Sequence, residues 1–203
     1  MKKSESAFLR ILDIFSHFLL TNIMWILLCL PIITIVPATT ALFGVMKKWS
    51  TEGIDAGLFK LFINEFKSRF KKSFVIGLLI GIAGLIILID FNILLQVDFA
   101  GKMVLLTTLI FLTMLYFFIS LYVVYILVEY EQLSILQSIK NALFMSISYI
   151  FHTIISLAII GTALIVTYFA PYFLLIIGSV VSFILYHVFN RITHRLNQLK
   201  TAE

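Results

Sequence analysis

Charge is what this chain lacks most. Only 12% of its 203 residues are Asp, Glu, Lys or Arg, against 62% that are hydrophobic, and the mean hydropathy is +1.11. A soluble domain of this length could not bury so much apolar surface, whereas a bilayer requires only runs of about 18–20 apolar residues. The chain is therefore read as an integral membrane protein. Alternating segments are also missing: Val75 to Ile89 reads VIGLLIGIAGLIILI, apolar on every face, which excludes a β-barrel and leaves helices. Cys29 stands alone, so no internal disulfide can form and it is expected to pack as a small hydrophobe. His17, His152, His187 and His194 show no short metal-ligand spacing, and neither a G-x-S-x-G elbow nor a G-x-x-x-x-G-K-[ST] loop occurs. No catalytic residue, metal or cofactor is therefore expected, and no enzyme. The net charge of +5 comes from basic residues placed where the positive-inside rule puts them, so nucleic acid is not an expected partner.

What is present is a series of long apolar runs. Ser73–Leu95, Met103–Val128, Tyr149–Phe169 and Tyr172–Asn190 are each long enough to cross, the last two forming a hairpin at Ala170-Pro171. The N-terminus interrupts its apolar stretch with Arg10, Asp13 and His17 and has no cleavage pattern, so residues 1–203 are expected to be the mature chain. Lys47, Lys48, Lys60, Lys67, Arg69, Lys71 and Lys72 make the 47–72 connection strongly basic and hence cytoplasmic, while the turn at Pro171 carries no basic residue. The expected layout is a proline-broken membrane segment over 14–46, the basic connection 47–72, spans two and three over 73–128, a cytoplasmic helix within 129–148, the two-span hairpin 149–191 and a cytoplasmic tail 192–203 with Arg195 and Lys200.

The first segment conflicts with this count. Lys2, Lys3 and Arg10 also ask to be cytoplasmic, yet one crossing before Lys47 would place them outside. Leu30 to Leu42, LPIITIVPATTAL, carries Pro31 and Pro37, each of which removes a helical donor. Two readings stay open: a hairpin that enters, breaks at Pro31 to Pro37 and returns over Pro37–Met46, or one kinked crossing with the N-terminus outside. Asn22 is expected to satisfy carbonyls freed by Pro31, and with Trp25, Thr34, Thr39 and Thr40 it forms a candidate polar site at the break.

The same stretch carries a resemblance. Asn22-x-x-Trp25, Leu30-Pro31, Thr34, Pro37-Ala38-Thr39-Thr40-Ala41-Leu42 and Lys47-Lys48-Trp49 resemble the YesL-like family of bacterial membrane proteins, a domain family of unknown function. The basic phenylalanine-rich segment, the span ending in Asp90 and Ser138-Ile139-Lys140-Asn141-Ala142-Leu143 follow in the family's order. Val36 departs from it, since many relatives have glycine there. The resemblance implies an accessory role in carbohydrate uptake, with permease subunits of an ABC importer as partners, and supplies no catalytic residue.

Two amphipathic segments are candidate contact surfaces. Phe59, Phe62, Phe66, Phe70 and Phe74 recur every three or four residues, with Lys60, Lys67 and Lys71 on another stripe and Arg69 and Lys72 adding charge. Such a helix is expected to lie in the headgroup plane, its amines near anionic lipid. The second segment places Ser134 and Gln137 as a capping box and Ser138, Lys140 and Asn141 as a candidate partner-contact helix; a structural connector is its plainer reading. Gly77, Gly81 and Gly84, and Gly178 with Ser182, are candidates for close helix packing, and Asp90 for an interfacial carboxylate. The sequence thus predicts an all-α polytopic bundle in the bacterial cytoplasmic membrane, of five spans or of four plus a broken N-terminal hairpin, with two amphipathic cytoplasmic helices. Its expected role is an importer accessory; the rival is an independent small transporter or channel with its site at 31–37.

Overall fold

The computed structural model describes residues 2–54 and 57–201, with side chains over 9–54 and 57–193. The side chains of Lys2, Lys3, His194, Arg195 and Lys200 lie outside the described residues. Seven α-helices follow in order: α1 (Lys2–Cys29), α2 (Ile35–Glu52), α3 (Leu58–Gln96), α4 (Lys102–Glu129), α5 (Ile135–Ser148), α6 (Ile150–Phe169) and α7 (Leu174–Thr201). Short 3-10 turns at Ile32–Thr34 and Pro171–Phe173 join α1 to α2 and α6 to α7. Five segments are long and apolar enough to span a bilayer: Leu9–Cys29, Leu58–Gln96, Lys102–Glu129, Ile150–Phe169 and Pro171–Thr193. The protein is a multi-pass helical membrane protein.

The chain turns back at Pro31. Trp25 Nε1 donates to Thr39 Oγ1 at 3.1 Å, and the Phe18 and Trp49 rings lie 5.2 Å apart, so α1 and α2 run antiparallel. The two helices thus form a hairpin about Pro31 and not one kinked helix. The break is also narrower than the two prolines suggest. Pro37 is the third residue of α2, where a helix has no intrahelical acceptor for an N–H, so its missing donor costs nothing and it breaks nothing. The returning arm is accordingly longer than Pro37–Met46: α2 has 18 residues, about 27 Å of helix.

α2 is the centre of the bundle, although it is not among the five apolar spans. From Pro37 to Met46 every residue but Thr39 is buried, and α1, α3, α4 and α7 all pack on it. Lipid accounts for this inversion: apolar side chains are as well placed in hydrocarbon as in a protein core, so the position surrounded by helices falls to small and hydroxyl-bearing residues such as Ala38, Thr40, Ala41 and Gly44. The apolar residues of α3, Leu78, Leu79, Ile82, Leu85 and Ile86 among them, are correspondingly exposed.

The turn between α1 and α2 lies beside α3, with a hollow between them that Ile32, Ile33, Gly77, Leu78, Gly81 and Ile82 line. Gln96 ends α3 fourteen residues past Ile82, about 21 Å of helix farther along. The turn itself is apolar and bare, with Leu30 72% and Ile32 82% exposed, as suits a tip immersed in hydrocarbon.

The expected 47–72 connection is mostly helix. α2 continues to Glu52 and α3 starts at Leu58, with only 53–57 between them. Gly53 and Gly57 take φ of 89° and 133°, backbone that side chains other than glycine's rarely tolerate. The basic segment is thus the first part of the 39-residue α3 and extends its span, instead of forming a separate helix in the headgroup plane.

Candidate functional site

Ion pairs tie α2, α3 and the end of α4 together where the basic residues gather. Lys47 Nζ lies 3.2 Å from Glu129 and donates to Val128 O at 3.1 Å; Lys48 Nζ lies 3.5 Å from Glu65. The Arg69 guanidinium, 13% exposed, pairs with both Glu65, 8% exposed, and Glu131, and Lys72 Nζ donates to Glu131 O at 3.3 Å. Gly44 makes room for this cluster: a Cβ there would collide with the Glu65 carboxylate. Arg69 and Lys72, expected to face lipid headgroups, are instead clamps between helices. Lys67 and Lys71 remain exposed. Phe59 is exposed and Phe62 fully buried, so the phenylalanines do not share one lipid-facing side; Phe66, Phe70 and Phe74 stack in succession with centroids 5.2 and 5.4 Å apart.

The polar residues near Pro31 serve the helices. Asn22 does not bond carbonyls of its own helix. Its Nδ2 donates to Leu174 O at 2.7 Å and its Oδ1 accepts from Ser179 N at 2.9 Å, while Ser179 Oγ donates to Phe18 O at 2.8 Å. This lock joins α1 to α7 at Gly178, where a Cβ would meet Asn22 Oδ1 and the Trp25 ring. Thr34 Oγ1 reaches Leu28 O and Pro31 O, both at 2.6 Å, and so satisfies the carbonyls at the break. Thr39 and Thr40 donate to Ile35 O and Val36 O at 2.7 and 2.8 Å.

Of the other packing candidates, Gly77 lies against Val36 and Gly84 against Tyr116, while a Cβ at Gly81 would meet nothing within 4 Å. Ser182 is buried on α7. Asp90 is exposed and lines an apolar hollow of about 380 Å³ with residues of the α3–α4 turn. In that turn Lys102 Nζ donates to Asp98 at 2.7 Å, which holds the Asp98 carboxyl below the usual carboxylate range.

Buried tyrosines fasten the remaining helices. Tyr125 Oη and Thr193 Oγ1 are 2.7 Å apart, and Thr153 Oγ1 donates to Tyr122 Oη at 3.1 Å. α5 begins with the capping box that Ser134 and Gln137 form and packs against α4 through Ser138, Ala142 and Ser146, all buried. Asn141 and Lys140 are exposed, the Lys140 amine 5.9 Å from the Phe144 ring centroid. Leu136, Phe144 and Ile147 line the same outer face, Leu136 76% exposed.

Sequence reasoning overlooked Glu65, Glu129, Glu131, Gly44, Ser179 and Thr193. Only Glu65 had a local signal, its i, i+4 spacing to Arg69; the rest meet partners distant in the chain.

These observations define a polytopic α-helical membrane protein whose polar groups are spent on holding helices around a buried returning arm. Comparison with known proteins fits that class. The chain belongs to the YesL-like family: the profile described as "Protein of unknown function, DUF624" matches residues 18–91, which cover the last part of α1, all of α2 and most of α3. The uncharacterized protein YteU of Bacillus subtilis (strain 168) is 31% identical over 159 residues, 77% of this chain and 71% of the relative. The uncharacterized protein YesL of the same strain is 27% identical over 168 residues, 81% and 78% of the two chains. No solved structure matches the chain.

Proposed function

We propose that the protein is a non-catalytic accessory or assembly component of a carbohydrate ABC importer in the bacterial cytoplasmic membrane, with its basic end, the 53–57 loop and both termini in the cytoplasm. The carrying observation is the outer face of α5. Leu136, Lys140, Phe144 and Ile147 stand exposed at the basic end, opposite a small-residue face already occupied by α4. A short helix presenting anchors at this spacing suits insertion into a groove of a partner. The importer as that partner rests on the family resemblance, and the inward orientation on the density of Lys and Arg at one end. Exposed Lys60, Lys67 and Lys71 suit anionic headgroups beside it.

A transporter working through the Pro31 break would need polar groups free to face a solute. Asn22, Thr34, Thr39 and Thr40 all bond protein partners, which favours the accessory reading. The test is a gentle-detergent pull-down from the native membrane followed by mass spectrometry. Importer subunits are expected to accompany the wild type, with several-fold lower recovery for Lys140→Glu. A partnerless preparation that moves solute when reconstituted alone into liposomes contradicts the proposal.

A further inference from the structure

A cleft of about 600 Å³ opens on the side of the bundle formed by α4, α6 and α7. Its walls are Phe117–Val124 of α4 and Leu157–Leu164 of α6, and its floor includes Thr39 and Gly178. The Tyr122–Thr153 contact joins the two walls toward the basic end. Little in it would hold water: Trp25 Nε1 already donates to Thr39 and Ser120 Oγ to Tyr116 O, which leaves the Ser182 hydroxyl, whereas a buried water needs two to four polar partners. Phe117 and Leu164 at the lip are more than half exposed, on spans whose exposed surface is apolar and faces hydrocarbon.

We propose that this cleft binds one acyl chain of a phospholipid from the leaflet at the far end. Three observations fix that occupant. The cleft lies within the spans, so the chains available to it are those of the bilayer. Toward the basic end α4 and α7 meet in buried Tyr122, Tyr125, Tyr186 and Phe189, so a chain enters from the opposite side. Tyr168, Phe169 and Tyr172 stand 81%, 80% and 69% exposed at the far turn, the aromatic setting of a headgroup boundary. The cleft's lining runs from Leu157 to Leu164 on α6 and from Gly178 to Leu185 on α7, about 10 Å of helix on each. Leu164 stands four residues, about 6 Å, from Tyr168, so the cleft takes the inner part of a chain that reaches roughly 15 Å into the leaflet. The chain would lie against Thr39 and Phe43 and complete the packing of α2.

Gly161 supplies the test, because it lines the cleft and a Cβ there meets nothing within 4 Å. Gly161→Phe therefore starts its side chain in open space and places a ring in the cleft. Gly81→Phe, equally unobstructed on α3, is the control. The full chain is placed in nanodiscs with phosphatidylglycerol bearing a diazirine in its acyl chain, irradiated, and its adducts mapped by mass spectrometry. Adducts are expected to concentrate on Phe117–Val124 and Leu157–Leu164, to fall several-fold in Gly161→Phe and to persist in Gly81→Phe. Adducts spread evenly over the spans, or unchanged by Gly161→Phe, would overturn the proposal. So would loss of a co-purifying membrane protein in Gly161→Phe with adducts unchanged, which would assign the cleft to a partner's helix.

Discussion

Replacing Glu65 by alanine is expected to destabilise the protein by about 3 kcal/mol, because it leaves the largely buried Arg69 guanidinium with only the exposed Glu131 as a partner. Removing one member of a buried ion pair costs more than the pair contributes, since the remaining charge stays out of water. The apparent melting temperature in a mild detergent should fall clearly. Glu65→Leu combined with Arg69→Leu should restore most of the loss, as a hydrophobic pair replaces the ionic one without stranding a charge. Gly44 provides a second check: Gly44→Ala should be better tolerated beside Glu65→Ala than in the wild type, because the carboxylate it collides with is gone and only Arg69 Nη1, 3.2 Å from the added Cβ, stays close. An unchanged melting temperature for Glu65→Ala would show that the clamp does not hold α2 to α3.

Gly178→Leu is expected to cost about as much, roughly 2–3 kcal/mol by overpacking alone. Its side chain would occupy the place of Asn22 Oδ1 and press on Trp25, opening the α1–α7 contact and breaking hydrogen bonds across it. Such bonds average about 0.6 kcal/mol each within membranes, so the collision outweighs them. Gly161→Leu, a substitution of the same size into open space, should leave the melting temperature nearly unchanged. Equal effects from the two would mean that α1 and α7 are not closely apposed at Gly178.

These expectations depend on contacts that the sequence shows unevenly. The apolar runs announce α3, α4, α6 and α7 because burial in lipid requires nothing more than length and hydropathy. Ser134 and Gln137 likewise announce the start of α5, since a capping box is local. α2 is harder to see. A helix enclosed by other helices has no need to be uniformly apolar, and Thr39, Thr40, Lys47 and Lys48 make this one resemble the border of a loop. Pro37 adds to the disguise, because proline in the first turn of a helix and proline that breaks one look alike until the helix start is known. Asn22 and Glu65 are conspicuous as polar residues near apolar runs, and Glu65 shows its i, i+4 partner Arg69, but Leu174 and Ser179 beside Asn22, and Lys48 and Gly44 beside Glu65, are chosen by packing and lie where no periodicity points.

The central proposal is that the hairpin of α1 and α2 is re-entrant, so that the start of α1 and Gly53 share one side of the membrane while the turn at Pro31 stays in hydrocarbon. Single cysteines in a Cys29→Ser background, at Gly53, at Ile32 and in an N-terminal tag, test it directly with a membrane-impermeant maleimide applied to oriented vesicles. The tag and Gly53→Cys should label from the same side and Ile32→Cys from neither. Labelling of the tag and Gly53→Cys from opposite sides would contradict the hairpin, and with it the placement of α2 at the centre of the bundle.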